Sequence, residues 1–174
     1  VVAGVNHDLI TPDEQVFSAA SCTTNAIVPV LKALQDRYGI LHGHIETCHS
    51  YTNDQNLIDN YHKASRRGRS APLNMVITET GAAKAVAKVL PELGGKLTGN
   101  AIRVPTPNVS LAILNLELGR PVTAEELNGY LRGMSLESPL QNQIDYTNSP
   151  EVVSSDFVGS RHGGVVHSLA TIAE

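Results

Sequence analysis

Three stretches of the chain place apolar residues at every third or fourth position, a spacing that predicts three helices. The first helix is expected to begin near Cys22 and to stop at Gly39, and the second spans about 81–90. The third begins at Thr123, with Glu126 placed to complete a capping box. The predicted core-facing residues of the three helices are Ile27, Val30, Leu31, Leu34 and Tyr38; Ala82, Val86, Val89 and Leu90; and Leu127, Tyr130, Leu131 and Met134.

A different pattern, with a period of two, runs over residues 40–52 and predicts a long strand. It places His49 on one face with Ile45 and Thr47, and Cys48 on the other. Shorter strands are expected over 1–5, 101–104, 109–118, 144–146, 152–157 and 165–169. These elements together indicate an α+β fold with a mixed, largely antiparallel sheet and helices packed on one face. No Gly-x-Gly-x-x-Gly joins a strand to a helix, so we expect no complete dinucleotide-binding unit within the chain.

Composition restricts the class of protein. The chain has 174 residues, 41% hydrophobic and 17% charged, about the size of one domain with a real core. Its net charge of −4 argues against nucleic acid as the main partner, and no apolar run approaches the ~20 residues that span a bilayer. With two cysteines and no signal peptide, we expect a reducing, cytoplasmic setting. The start at Val1, without Met, suggests a piece of a longer polypeptide.

The segment Ser21-Cys22-Thr23-Thr24-Asn25 carries the most chemical information. A thiol at a helix N-terminus lies where backbone N–H groups and the helix dipole stabilise a thiolate. The neighbouring hydroxyls and free N–H groups can bind an anion or a developing oxyanion. The alternative is a structural cysteine beside N-capping residues, and the sequence leaves both interpretations open.

His49 is the candidate general base for Cys22, although a strand histidine is commonly structural and the sequence gives no distance between them. A rival hypothesis is a zinc site formed by His42, His44, Glu46 and Cys48, which share the other strand face. The absence of any Cys-x-x-Cys or His-Glu-x-x-His pattern favours a partly solvated strand face instead, and we predict no metal.

Two candidate anion sites surround these residues. Arg66, Arg67 and Arg69 lie in a long polar loop, and Arg103 ends an apolar strand, where a buried guanidinium needs an anionic partner. Thr80 and Gly81 precede the second helix and offer a hydroxyl and free N–H groups to a phosphate. Each of these features alone is also typical of an ordinary cap or surface charge.

From Ser21 to Asn25 the chain resembles the glyceraldehyde-3-phosphate dehydrogenase family. The resemblance covers nearly the whole chain, in the family's order, through the motifs His49-Ser50-Tyr51-Thr52, Arg66-Arg67-Gly68-Arg69, Thr80-Gly81-Ala82-Ala83-Lys84-Ala85-Val86, Lys96-Leu97-Thr98-Gly99, Arg103-Val104-Pro105-Thr106-Pro107-Asn108-Val109-Ser110 and Val153-Ser154-Ser155-Asp156-Phe157. Motifs of this length are far more specific than a short fingerprint.

The resemblance implies a glycolytic reaction through a covalent intermediate, in which Cys22 attacks glyceraldehyde 3-phosphate and His49 moves the proton. Hydride passes to NAD or NADP, and inorganic phosphate then cleaves the thioester to 1,3-bisphosphoglycerate. The site for the substrate's phosphate is implied at Thr52, Arg67 and Arg103, with Asp54 close by. The site for the attacking phosphate is implied at Ser21, Thr23, Thr80 and Gly81, and Arg103 serves as a candidate for both anions.

The resemblance also implies that residues 1–174 form the family's catalytic domain. A preceding dinucleotide-binding domain and a C-terminal closing segment would lie outside them, so turnover is expected only from the complete polypeptide. The loop 51–73 is implied to contact a neighbouring subunit in a homotetramer. Where the family often has a second cysteine, this chain has Ala26. Two alternatives remain: an erythrose 4-phosphate dehydrogenase, and a non-catalytic binding module that retains the fold.

Overall fold

The computed structural model describes the whole chain, from Val1 to Glu174. Its helices are α1 (Cys22–Tyr38), α2 (Ala82–Val89) and α3 (Ala124–Glu137), and its strands are β1 (Ile40–Ser50), β2 (Val76–Thr78), β3 (Leu97–Val104), β4 (Leu111–Leu118), β5 (Ile144–Thr147) and β6 (Gly164–His167). No helix has the length and continuous apolar character that crossing a membrane requires.

The main sheet has four strands in the order β2-β3-β1-β4. Strand β1 pairs in parallel with β3 and antiparallel with β4, and β2 pairs antiparallel with β3. A second, two-stranded parallel sheet joins β5 to β6. The predicted α+β fold with a mixed, largely antiparallel sheet is therefore confirmed.

The core lies between one face of the main sheet and the helices. It joins Ile27 and Leu31 of α1 to Ile45 of β1 and Val86 of α2, each at most 2% exposed. Along β1, Ile45 and Thr47 are buried, as the period-two pattern predicts. Because His49 has the same parity, its side chain also lies on the helix side of the sheet, at the end of the strand where α1 begins.

Two of the predicted strands are wrong. Residues 1–5 form a turn, because Asn6 accepts a hydrogen bond from the N–H of Val2 and so competes with strand pairing. Ser154–Phe157 form a short 3-10 turn, because the Asp156 carboxylate accepts from the N–H of Val153. Strand β2 was not expected from the pattern, and β3 begins four residues earlier than the predicted 101–104.

The predicted starts of α1 and α3 are confirmed. The N–H of Thr24 donates to the Ser21 hydroxyl at 3.1 Å, and the N–H of Glu126 donates to the Thr123 hydroxyl at 3.1 Å. The expected capping box on α3 is only half formed, since the Glu126 carboxylate pairs with Arg120. Position 21 therefore fixes where α1 begins, and with it the place of Cys22.

Candidate active site

Cys22 and His49 come together although they are 27 residues apart in the chain. The Cys22 Sγ lies 3.4 Å from His49 Nε2, a hydrogen-bonding distance for sulfur, and the Thr23 hydroxyl is 4.0 Å from the same sulfur. Cys22 is exposed, so a small molecule can reach the thiol. The two predicted catalytic side chains thus form one accessible pair at the junction of α1 and β1.

This pair perturbs both ionisation equilibria in the direction of a thiolate and an imidazolium. The pKa of Cys22 falls from 9.0 to about 7, chiefly through the hydrogen bond with His49 and against an opposing effect of burial. The pKa of His49 rises, chiefly through the same hydrogen bond, while burial and the charge of Arg103 oppose the rise. A thiol with a pKa near 7 is a nucleophile at neutral pH.

The backbone before Cys22 is held in an unusual conformation. Ala20 has a φ of 63°, in the left-handed region that non-glycine residues seldom adopt. The Asn25 side chain donates to the carbonyls of Ala19 and Ser21 at 2.7 and 2.9 Å, bracing this bend. Within the first turn of α1, the N–H groups of Cys22 and Thr23 have no intrahelical acceptor. They are free to bind an anion beside the sulfur.

Arg103 is the third group at the centre of the site. Its Nη1 lies 2.6 Å from His49 Nδ1 and donates to the Ser50 carbonyl at 2.9 Å. Strands β1 and β3 bring it there, because His49 and Arg103 are register partners. Burial, and then the neighbouring charge of Arg67, lower the pKa of Arg103. No carboxylate pairs with it.

The loop between β1 and β2 brings Arg67 close to Arg103. The Arg67 guanidinium pairs with Asp54 and donates to the Thr78 hydroxyl at 2.8 Å and 3.1 Å. The other two arginines of the triplet lie elsewhere: Arg69 pairs with Asp59 at 3.1 Å, and Arg66 is exposed with no ion pair. Of the three, only Arg67 joins the cationic cluster near His49.

The other predicted site residues, Thr52, Thr80 and Gly81, make no hydrogen bond with Cys22, His49 or Arg103. Thr52 is exposed just beyond the end of β1, and its side chain makes no hydrogen bond. The Thr80 hydroxyl accepts from the N–H of Ala82 at 3.2 Å, and Gly81 is the N-cap of α2. Because α2 packs against α1, this N-terminus belongs to the same layer as Cys22, but no hydrogen bond joins Thr80 or Gly81 to Cys22 or His49.

The proposed zinc ligands on β1 do not converge. The ring nitrogens of His44 bond to Thr98 and Asn100 at 2.8 and 3.0 Å, and His42 pairs with Glu117. No group of three or more His, Cys, Asp or Glu residues in the described chain is arranged to hold a metal ion. On this face of β1 the histidines bind polar neighbours on the adjacent strands, as is typical of a polar strand surface.

Several contributors to the site were not identified from the sequence. The Ser50 carbonyl contacts both His49 and Arg103, the Ser110 hydroxyl accepts from the N–H of Ser50 at 3.2 Å, and Thr78 binds Arg67. Backbone carbonyls and strand-pairing hydroxyls carry no motif of their own. Their roles depend on which strands and loops lie next to each other in the fold.

Comparison with known protein families agrees with this geometry. Residues 21–174 match the family model described as glyceraldehyde 3-phosphate dehydrogenase, C-terminal domain. The chain belongs to the glyceraldehyde-3-phosphate dehydrogenase family. The match begins at Ser21, the residue that caps helix α1 just before Cys22.

Individual relatives align with nearly the whole of this chain. It is 71% identical over 172 residues to a glyceraldehyde-3-phosphate dehydrogenase-like protein of Pseudomonas aeruginosa, covering 99% of this chain and 37% of that protein. It is 48% identical to glyceraldehyde-3-phosphate dehydrogenase 1 of Bacillus subtilis, covering 99% of this chain and 51% of the relative. For the Zymomonas mobilis enzyme the identity is 47%, over 98% of this chain and 50% of the relative. The chain thus spans about half the length of these relatives or less.

Proposed function

We propose that this chain is the catalytic domain of a phosphorylating glyceraldehyde-3-phosphate dehydrogenase. The observation that carries the proposal is the Cys22–His49 pair at 3.4 Å, next to a cluster of arginines. A thiol of lowered pKa provides the nucleophile, and the cations provide binding for a phosphorylated aldehyde. Family membership favours the same reaction.

The proposed chemistry begins with the Cys22 sulfur attacking the aldehyde carbon while His49 manages the proton. His49 Nε2 accepts the thiol proton and, as imidazolium, donates it to the carbonyl oxygen, giving a thiohemiacetal. The free N–H groups at the start of α1 stabilise the developing oxyanion. After oxidation, inorganic phosphate attacks the thioester on Cys22 and releases 1,3-bisphosphoglycerate.

The nicotinamide cofactor supplies the hydride acceptor for the oxidation step. The residues of this chain do not by themselves fit a dinucleotide, since no glycine-rich turn joins any strand to a helix. We infer that a separate domain of the complete polypeptide binds NAD or NADP, and that turnover requires it. What this chain contributes is the thiol, the base and the anion sites.

The phosphate sites are assigned as part of the same proposal. Thr52, Arg67 and Arg103, with Asp54 orienting Arg67, would hold the phosphate of the substrate. The group Ser21, Thr23, Thr80 and Gly81 would hold the attacking phosphate, at the N-termini of α1 and α2. The intact enzyme would act in the cytoplasm as a homotetramer.

The direct test is aldehyde-dependent reduction of NAD or NADP by the complete protein, with the Cys22→Ser variant as control. The proposal requires reduction that depends on glyceraldehyde 3-phosphate, on inorganic phosphate and on Cys22. Comparison with erythrose 4-phosphate distinguishes the triose from the tetrose enzyme. If neither aldehyde supports reduction while Cys22 is intact, the chain is a binding module.

A further inference from the structure

The last residue of β1 is paired by a side chain instead of by backbone. The antiparallel ladder between β1 and β4 ends at Cys48 and Leu111, whereas the parallel ladder with β3 continues to Ser50. Beyond the end of the antiparallel ladder, the Ser50 N–H donates to the Ser110 hydroxyl at 3.2 Å, and the two serine hydroxyls are 3.5 Å apart. Ser110 therefore takes the place of a backbone acceptor at this end of the strand.

The backbone just before Ser110 accounts for the change of partner. Val109 has a φ of 62°, in the left-handed region that β-branched residues rarely adopt, so the extended conformation that a ladder needs is interrupted there. The N–H of Val109 donates to the Asn108 side chain at 2.8 Å. Strained backbone of this kind persists where the surrounding structure holds it, and it is concentrated at functional sites. Here it lies next to the residue whose hydroxyl binds the end of β1.

The Ser50 peptide group is held on both sides. Its carbonyl and the N–H of Tyr51 belong to one planar trans peptide and point in opposite directions. That N–H donates to the Thr106 carbonyl at 3.3 Å, and the N–H of Ser50 itself donates to Ser110. With both N–H groups anchored, the Ser50 carbonyl points at the His49 ring and lies 2.6 Å from Nδ1.

This carbonyl supports the charged form of the His49 ring. In a thiolate–imidazolium pair both ring nitrogens carry protons and donate. Nε2 faces the Cys22 sulfur at 3.4 Å, and the polar neighbours of Nδ1 are the Ser50 carbonyl and Arg103. Arg103 is a donor and a cation, so only the carbonyl can accept from Nδ1–H and stabilise the imidazolium.

We propose that Ser110 is a positioning residue that fixes the Ser50 peptide, so that its carbonyl holds the protonated His49 ring beside Cys22. This inference rests on the proposed function, because it gives Ser110 a part in preparing the nucleophile. Ser110 makes no hydrogen bond with the thiol or with the imidazole, and it acts only through the peptide of Ser50.

Loss of the Ser110 hydroxyl should raise the pH at which Cys22 becomes reactive. A peptide released at one N–H can turn its carbonyl away, and the imidazolium then loses a charge-assisted hydrogen bond. Because that imidazolium stabilises the thiolate, the thiolate then forms only at higher pH. The titratable or charged groups that face His49 are Cys22 from α1 and Arg103 from β3, with Arg67 acting on Arg103 from the loop.

The experiment measures the pH dependence of iodoacetamide alkylation at Cys22 in the complete protein. Ser110→Ala should raise the midpoint by about 0.5 to 1 pH unit, the shift equivalent to one net hydrogen bond. Ser110→Thr keeps the hydroxyl at this exposed position and should restore the wild-type midpoint. Ser160→Ala is the matched control, since the hydroxyl of this exposed serine also accepts a backbone N–H at 3.3 Å, far along the chain from β1. Its midpoint should equal that of the wild type.

An unchanged or lowered midpoint in Ser110→Ala, or a raised midpoint that Ser110→Thr fails to restore, overturns the inference. Hydrogen exchange of the wild type, resolved to single amides, gives a readout that needs no variant. The Ser50 amide should exchange much more slowly than an unstructured amide, and rapid exchange contradicts the inference. If Cys22 of the wild type reacts no faster than Cys48 under any condition, the proposed function itself fails.

Discussion

The reactivity of Cys22 depends on a small number of residue contacts. A hydrogen bond with His49, and secondarily the imidazolium charge and the Thr23 hydroxyl, bring its pKa to about 7 despite partial burial. Cys48, only one residue before His49, lies on the opposite face of β1 and shares none of these contacts. Cys22 is exposed and Cys48 is half-buried, and only Cys22 has an imidazole at hydrogen-bonding distance.

Replacing His49 by Asn tests this dependence. If the pKa of Cys22 returns toward 9.0, the thiolate fraction at pH 7 falls from about one half to about one per cent. The more basic thiolate is intrinsically a better nucleophile, so the alkylation rate at pH 7 should fall roughly fivefold. Iodoacetamide kinetics across pH 5–10 measure the shift. His44→Asn, on the other face of the same strand, should leave the profile unchanged; a midpoint still near 7 in His49→Asn contradicts this account.

At the scale of elements, helix α1 begins at Cys22 and is held at both its first turn and its middle. Ser21 caps the first turn, and Pro29, which has no N–H, leaves the Asn25 carbonyl without its helical partner. Gly163 packs against that carbonyl so closely that a Cβ there would lie 2.6 Å from the oxygen. The segment before β6 is thus fitted to the helix that carries Cys22.

The cap of α1 should matter for both stability and reactivity. Ser21→Ala removes the acceptor for the Thr24 N–H and should destabilise the fold by about 1 kcal/mol. Fraying of the first turn should also slow alkylation of Cys22. Thr123→Ala removes the equivalent cap of α3, so a similar loss in urea-unfolding stability is expected without any change at Cys22. If Cys22 is alkylated at the same rate in Ser21→Ala and Thr123→Ala, the cap of α1 does not influence the reactivity of Cys22.

The sequence predicted the long elements because their periodicity extends over many residues. Helix α1 and strand β1 end within two residues of their expected bounds. Residues 1–5 and 152–157 were wrong because short apolar runs are easily overridden by a single side chain, here Asn6 and Asp156. In the site, motifs pointed to Cys22 and His49. The crowding at His49 Nδ1 depends on a carbonyl and on the β1–β3 register, and neither has a sequence signal.

At the scale of the whole molecule, the loop 51–73 presents apolar side chains outward. Leu57, Ile58 and Tyr61 are 63%, 74% and 88% exposed. The backbone beneath them is held by internal bonds, including the Asp59 carboxylate with the Ser70 N–H at 2.8 Å. An ordered loop with outward apolar groups supports the proposal that it packs against another subunit.

Ile58→Glu should therefore weaken the proposed homotetramer, because a carboxylate would be buried without a partner in the interface. Sedimentation velocity of the complete protein measures the change in assembly. Leu136→Glu places the same charge at an exposed position of α3, where Leu136 is 56% exposed, and should leave assembly intact. If Ile58→Glu and the wild type sediment alike, the loop does not form an essential interface.

The measurement that bears most directly on the central claim is covalent trapping at Cys22. The complete protein is incubated with glyceraldehyde 3-phosphate and NAD or NADP, without inorganic phosphate, and its peptides are analysed by mass spectrometry. Without the attacking phosphate, the account predicts a substrate-derived acyl thioester on Cys22, removed when phosphate is added and absent in Cys22→Ser. An adduct on another residue, or none on Cys22 while the cofactor is reduced, would contradict it.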